Sequence, residues 1–332
     1  MNRGRVKTAK AVKHYTTTFN ATIVLCIFSP AFYSQTSPAG GPAKQTLPYC
    51  PGKSASEPAG QPASNVRVPP HCLRLKPVLA FMMNSQIYLA GLRAIDPGLV
   101  DHFLNTPKAC LFTNNYRTNP VPEGWSSQGG LKTPSYTSFK NNFQGNMDPH
   151  VGMVIYDNEK WGNSGQTPGE EQIAPAEFTR MFAGLAHDNG LRFVATPSRD
   201  LASDQTDYTG GTLDSYYLAT GTYSSPGANR PFPAWAAAVS DVFEIQAQVH
   251  TTDGQYSSFT AQAVQQANSA NSAIQIIVGL STNYGNALDM YKAVMSTYTL
   301  PNVIGYWLNM SNTEADYKEI ISFLNMLRAE DF

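Results

Sequence analysis

A series of short apolar runs, separated by segments with helical patterns, most constrains how this chain can fold. The runs are LKPVLAFMM (75–83), ACLFTN (109–114), VGMVIYD (151–157), LRFVATPS (191–198), DVFEIQAQV (241–249), IQIIVGLST (274–282) and NVIGYWLNM (302–310). Because their apolar residues are nearly continuous, they predict strands covered on both faces, as in a parallel sheet. The sequence therefore predicts an α/β protein.

The segments between the runs have the spacing of amphipathic helices. In PAEFTRMFAGLAHDNG, Phe178 and Phe182 share one helical face, and Gly190 is placed to end the helix. Thr313 is placed to cap the start of the last helix. Strands that alternate with helices over residues 73–332 predict one (β/α)8 barrel of the TIM type.

Two features of this assignment stay open. Only seven runs are found, so we expect the eighth strand in one of two Tyr-rich segments, 133–146 or 207–222. A doubly wound open sheet is the second choice of fold, although the first run is not followed by the GxGxxG motif that marks many such sheets.

The N-terminal fifth of the sequence, residues 1–72, has a different composition. Residues 1–33 combine a basic start with the short apolar segment FNATIVLCIFSPAF, which predicts a signal peptide, with an uncleaved anchor as the alternative. Residues 34–72 are rich in Pro, Gly, Ser and Ala and predict a disordered linker. We therefore expect a secreted or extracytoplasmic protein, in which Cys50 and Cys72 could form a disulfide and Cys110 is a buried strand thiol.

Composition excludes several functional classes. The formal net charge is −1 and charged residues make up 14%, so bulk charge gives no attraction to nucleic acid or to an anionic membrane. The sequence contains no CxxC pair, no GxSxG, no HExxH and no Walker loop. We therefore expect no cofactor and no structural metal, and a monomeric domain without a membrane span in its mature form.

The most informative strand end is YDNEKW, where two acidic residues follow an apolar run. Side chains alternate along a strand, so Asp157 and Glu159 would face the same barrel cavity, about 6.6 Å apart along the chain. Neighbouring carboxylates resist joint ionisation, which raises one pKa and makes that group a candidate general acid. The structural alternative is that both residues form helix caps or salt bridges.

This strand end resembles the catalytic strand of the chitinase-like glycoside hydrolases, a family of TIM barrels. The resemblance implies that Glu159 donates a proton to the glycosidic oxygen and that Asp157 orients a substrate acetamido group, although the family's earlier acidic residues are absent from HVGMVIYDNE. The segments YDNEKW, GLSTN and GYWLN are also similar to an uncharacterised group of exported bacterial barrel proteins.

Other strand ends supply polar and aromatic candidates. Glu244, Gln246 and Gln248 lie on one face of FEIQAQ, where Glu244 could be a second catalytic carboxylate and the amides could bind substrate hydroxyls; a structural polar network is the alternative. The further substrate-binding candidates are Trp307, Asn309, Asn283, Tyr116 and Trp161.

These observations predict an exported glycosidase that binds a carbohydrate polymer or oligosaccharide. Glu159, Asp157 and Glu244 would perform the catalysis. A barrel that binds carbohydrate or a cell surface without catalysis is the first alternative. A divalent cation held by the same three acidic residues is the second.

Overall fold

The fold is a closed barrel of eight parallel strands, seen in a computed structural model that describes residues 77–143, 147–160, 167–205, 208, 210–219 and 231–332. The strands follow one another around the barrel in chain order, and the last pairs with the first. They are β1 (Ala80–Asn84), β2 (Cys110–Thr113), β3 (Gln128–Thr133), β4 (Val151–Tyr156), β5 (Arg192–Ala195), β6 (Val242–Ile245), β7 (Gln275–Ser281) and β8 (Val303–Asn309). The predicted TIM-type barrel is confirmed.

Helices connect the strands and cover the barrel. Within the described residues they are α1 (Ser85–Ile95), α2 (Pro97–Leu104), α3 (Tyr136–Asn142), α4 (Gly169–Ile173), α5 (Pro175–Asp188), α6 (Leu213–Tyr217), α7 (Phe232–Ala237), α8 (Tyr256–Ala270), α9 (Ala287–Thr297) and α10 (Glu314–Ala329), with 3-10 turns at Arg199–Asp204 and Gln248–His250. Two predicted helix ends are confirmed: Thr313 caps α10, and Gly190 follows α5 with a φ of 70°.

The eighth strand is β3, which overlaps the expected segment 133–146 only at Thr133 and otherwise precedes it. Its sequence, QGGLKT, contains a single apolar residue, Leu131. The pattern is weak because glycine is required: a Cβ atom at Gly129 would lie 2.4 Å from the His150 carbonyl oxygen. At Gly130 a Cβ atom would lie 3.0 Å from the Cys110 sulfur. Close packing against β2 and β4 thus replaces the apolar signal that a strand normally shows.

The main hydrophobic core lies between the outer face of the barrel and the helices. On one side it is built around Phe182 of α5, whose ring centroid lies 4.6 Å from that of Phe139 and 5.3 Å from that of Phe193. A second apolar cluster fills the barrel interior and includes the free thiol of Cys110. Cys110 is therefore the buried strand thiol that the sequence predicts.

A buried carboxylate joins α3, α4 and β4. Glu171, in the first turn of α4, accepts hydrogen bonds from the Ser135 hydroxyl at 2.9 Å, from the Tyr136 and Thr137 backbone N–H groups at 2.9 and 3.0 Å, and from the Tyr156 hydroxyl at 2.8 Å. Its negative charge also lies at the positive end of the α3 dipole. This contact fixes the segment that directly follows β3.

Several sequence predictions concern residues outside the described ranges. These are the signal peptide at 1–33, the linker at 34–72, the Cys50–Cys72 disulfide and the placement of Trp161. They stay predictions. None of the helices described is both long enough and apolar enough to cross a membrane.

The Glu171 contact can be tested by its effect on folding. Glu171→Gln replaces one acceptor oxygen with an NH2 group, which leaves buried donors without a partner, so we expect the free energy of unfolding to fall by about 2 kcal/mol. Urea unfolding measures this loss. The adjacent exposed residue provides the matched control, because Glu170→Gln should change stability by less than about 0.5 kcal/mol. Equal effects of the two changes would contradict the assigned role.

Candidate active site at the barrel mouth

A cavity of about 170 Å³ opens at the carboxyl ends of the strands, where active sites of TIM barrels are built. Its lining residues come from the strands, from the segments that follow them and from the first turn of α1. They are Asn84, Ile87, Tyr88, Phe112, Asn114, Lys132, Asp157, Glu159, Glu244, Gln246, Gln248, Gly279, Leu280, Trp307 and Asn309. One amine and three carboxyl groups therefore border one small space.

An ion pair between β3 and the end of β4 forms the charged part of this site. The Lys132 ammonium contacts Asp157 Oδ2, and the Thr196 hydroxyl donates a hydrogen bond to Asp157 Oδ1 at 3.0 Å. Burial alone lowers the pKa of Lys132, but the Asp157 carboxylate opposes this, and the net shift of the Lys132 pKa is upward. Lys132 is thus a cation in the cavity wall, and its ion pair with Asp157 keeps it there.

Glu159 lies beside this ion pair, and the pKa of its carboxyl group is raised. Burial, followed by the negative charge of Asp157 and a hydrogen bond with it, raises the pKa of Glu159 from 4.5 to about 9. Gln246 Nε2 donates to Glu159 Oε1 at 3.3 Å and to the Thr196 carbonyl oxygen at 3.1 Å. Glu159 is therefore protonated at neutral pH, as the sequence predicts for one member of this carboxyl pair.

Glu244 is the second carboxyl group at the mouth whose pKa is raised. Its side chain is 3% exposed, and burial together with the charge of Asp157 holds its pKa well above the ordinary value. Gly279 of β7 leaves room for it, since a Cβ atom there would lie 2.7 Å from Glu244 Oε1 and 2.4 Å from Gln248 Oε1. Gln248 Oε1 is buried and has no hydrogen-bond partner among the described residues.

Aromatic rings form the floor of the mouth. The Trp307 ring lies 4.6 Å from the Phe112 ring, centroid to centroid, and both belong to the apolar cluster that fills the barrel. Asn309 and Asn84 lie above them at the ends of β8 and β1. The site therefore combines an apolar floor with polar walls.

The structure brings most of the predicted site residues together. Those that line the mouth are Asp157, Glu159, Glu244, Gln246, Gln248, Trp307 and Asn309. Two others lie elsewhere: Asn283 accepts a hydrogen bond from the Ser311 hydroxyl, and Tyr116 lines a separate cavity with Arg117. The predicted strand 241–249 is also shorter than expected, since Gln246 follows β6 and Gln248 begins a 3-10 turn.

Sequence reasoning missed Lys132. The residue belongs to the strand that lacked an apolar pattern, so nothing marked it as facing a barrel interior. The available signal was a basic residue directly before Thr133 and Pro134, where a strand could end, in a chain with few charges.

The arrangement contradicts the alternative of a divalent cation held by Asp157, Glu159 and Glu244. In the part of the chain that the structure describes, no group of three or more His, Cys, Asp or Glu side chains is arranged to hold a metal ion. Lys132 instead supplies the positive charge beside Asp157.

No protein-family model and no curated protein matches the sequence. Among solved structures, the chain is similar to a Schiff-base-forming fructose-1,6-bisphosphate aldolase, with 12% identity and a TM-score of 0.40 over 78% of this chain and 95% of that one. It is also similar to an archaeal fructose-1,6-bisphosphate aldolase, with 11% identity and a TM-score of 0.40 over 77% of this chain and 94% of that one. At this level the likeness concerns the barrel fold.

The predicted glycosidase is wrong. Both of the solved structures named above are aldolases, and neither is a glycosidase. The resemblance assigned Asp157 to a substrate acetamido group, whereas in the structure its two carboxylate oxygens contact Lys132 and Thr196. The expectation of a carbohydrate ligand also rested on the amides of Gln246 and Gln248 and on the ring of Trp307, and it stays a prediction.

The Lys132–Asp157 pair can be tested by a double-mutant cycle. Lys132→Met leaves a buried carboxylate without its cation, so we expect the free energy of unfolding to fall by about 2–3 kcal/mol at pH 7. Adding Asp157→Asn to this variant should restore at least about 1 kcal/mol. Urea unfolding measures both effects, and Lys140→Met is the exposed control. Strictly additive effects of the two changes would show that the residues are not coupled.

The raised pKa of Glu159 predicts a pH-dependent stability. Between pH 4.5 and pH 9 the folded protein retains a proton on Glu159 that the unfolded chain has lost, so this residue destabilises the fold increasingly as pH rises. Glu159→Gln removes the titration and should gain about 1–2 kcal/mol relative to the wild type between pH 5 and pH 9. Urea unfolding at several pH values tests this, with the exposed Glu123→Gln as control. A pH-independent difference would place the Glu159 pKa near its ordinary value.

Proposed function

We propose that the protein is a lyase that eliminates water from a small hydroxy-carbonyl compound by acid–base catalysis in the barrel mouth. The observation that supports this most directly is that the Lys132–Asp157 ion pair and two further carboxyl groups with raised pKa values, those of Glu159 and Glu244, meet around one cavity. Such a set provides both a proton acceptor and a proton donor at one pH.

Each group has a distinct part in the elimination. The Asp157 carboxylate accepts the proton from the carbon beside the carbonyl group, and the Lys132 ammonium stabilises the negative charge that develops on the carbonyl oxygen. Glu159 donates its proton to the departing hydroxyl group, which leaves as water while the carbon–carbon double bond forms. The hydrogen bond between Asp157 and Glu159 then returns the proton to Glu159, so that both groups regain their starting states.

The walls of the mouth indicate what the substrate is like. The cavity volume of about 170 Å³ is below the roughly 300–1,000 Å³ of pockets for drug-sized ligands, so the substrate is small. Buried acceptors without a partner are rare, and the unpartnered Gln248 Oε1 would accept a hydrogen bond from a substrate hydroxyl group. Glu244, also protonated, would donate to another substrate oxygen.

Proton NMR in D2O provides the test, with a panel of small hydroxy-aldehydes, hydroxy-ketones and hydroxy-acids. The wild type should exchange the carbon-bound proton beside the carbonyl group and form the dehydrated product. Product formation should fall as pH rises through about 9, because Glu159 loses its proton there. A wild-type protein that exchanges no carbon-bound proton in any compound contradicts the proposal.

Variants separate the two proton transfers. Asp157→Asn should lower both exchange and elimination at least about 100-fold, whereas Glu159→Gln should retain exchange and lose elimination by about 100-fold or more. Lys132→Met should reduce both, and the exposed Lys140→Met and Glu123→Gln should reduce neither. Borohydride treatment with substrate should leave the mass of the peptide that contains Lys132 unchanged. A mass increase there would mean that Lys132 forms an imine with the substrate, which would contradict its purely electrostatic role.

A further inference from the structure

A second cavity, of about 250 Å³, lies at the opposite end of the barrel, where the strands begin. Its lining residues are Ala80, Met82, Pro107, Lys108, Cys110, Gln128, Met153, Arg192, Val242, Gln275, Ile277 and Ile304. It shares no lining residue with the mouth. Phe112 and Trp307 belong to the same interior cluster and border the mouth instead, so the two cavities are separate sites.

The walls of this second cavity, called the lower cavity from here on, are apolar and include flexible side chains. Met82, Met153 and Ile277 are buried, and the Cys110 sulfur lies 3.2 Å from the Met153 sulfur. Flexible methionine side chains adapt to ligands of differing shape. None of the described residues that line it is acidic.

The polar part of the lower cavity is positively charged. Arg192 Nη1 donates to Gln128 Oε1 at 3.1 Å, and Arg192 Nη2 donates to Gln275 Oε1 at 2.7 Å. Both partners are neutral amides, so they orient the guanidinium group without balancing its charge. Lys108 lies at the same end and donates to the Val78 carbonyl oxygen, which is also neutral. Among the described residues, neither cation pairs with a carboxylate.

We propose that this cavity binds a small monocarboxylate with an apolar tail. The carboxylate accepts hydrogen bonds from the Arg192 guanidinium, which suits bidentate binding, and Lys108 adds a second positive charge. The tail lies among Met82, Met153 and Ile277. An apolar cavity of about 150 Å³ holds benzene, so a cavity of about 250 Å³ accommodates a larger ring or a chain such as octanoate.

The inference rests on the combination of a guanidinium group and an apolar cavity at one site. Here the amides of Gln128 and Gln275 hold the cation at the edge of an unfilled apolar space. A ligand of one negative charge and moderate length satisfies both features.

Isothermal titration calorimetry with the full chain tests the proposal, with octanoate, octanol and acetate as probes. Octanoate should bind at one site and at least tenfold more tightly than octanol, which has the same tail without the charge. Acetate, which has the head without the tail, should show no measurable binding. Equal affinities for octanoate and octanol would contradict a binding site for the carboxylate group. The absence of octanoate binding would contradict the whole proposal.

Variants locate the binding site. Arg192→Met should weaken octanoate binding at least tenfold and remove its advantage over octanol, and Ala80→Leu should weaken both by filling the cavity. If Arg192→Met fails to fold, the exposed Lys108→Met replaces it, and we expect a smaller loss of octanoate affinity in this variant. Lys140→Met is its matched control and should leave octanoate affinity unchanged. Lys132→Met should leave octanoate affinity unchanged, because this residue faces the other cavity. Loss of binding in Lys132→Met alone would assign the carboxylate to the mouth and overturn the proposal.

Discussion

Closure of the barrel is the constraint on which the whole arrangement depends. Eight parallel strands that pair in chain order and close on themselves direct their interior side chains into two small volumes, one at each end. Polar groups distant in sequence are thereby forced together, with Lys132, Asp157 and Glu244 around one cavity. Water cannot fully solvate charges in so confined a space, so each group must find a partner or lose its charge.

The mouth shows both outcomes. Lys132 and Asp157 remain charged because they contact each other, and Thr196 satisfies the second carboxylate oxygen. Among the described residues no salt bridge joins Glu159 or Glu244 to a cation, and burial together with the charge of Asp157 raises both pKa values. The mouth therefore combines one ion pair with two carboxyl groups of raised pKa, an arrangement that favours acid–base chemistry.

The two ends of the barrel differ in their electrostatics. The mouth balances its single cation with an anion, whereas the lower end holds Arg192 between two neutral amides. Because these regions are separated by the packed rings of Phe112 and Trp307, one site can bind a ligand without contact with the other. The same fold therefore offers two sites of opposite chemical preference, one for a small hydroxylated compound and one for an apolar anion.

The sequence by itself determined the barrel and most of its mouth. Near-continuous apolar runs marked seven strands, and the alternation of side chains along them placed Asp157 with Glu159 on one face. Trp307 and Asn309 followed from the same rule at the end of β8. These features are local, because they depend only on periodicity within a few residues. The reaction does not follow from them, since an Asp-x-Glu strand end is compatible with many chemistries.

Only the tertiary structure decided where β3 lies and what its lysine does. The strand QGGLKT carries glycines because neighbouring strands approach it closely, and that requirement is invisible without those neighbours. Because the strand was not predicted, Lys132 was not predicted as a site residue either. Without this lysine, the pKa shifts of the neighbouring carboxyl groups could not be assigned. Periodicity specifies which face a side chain occupies, whereas pKa values depend on distances between groups that are far apart in sequence, and closure of the barrel alone sets those distances.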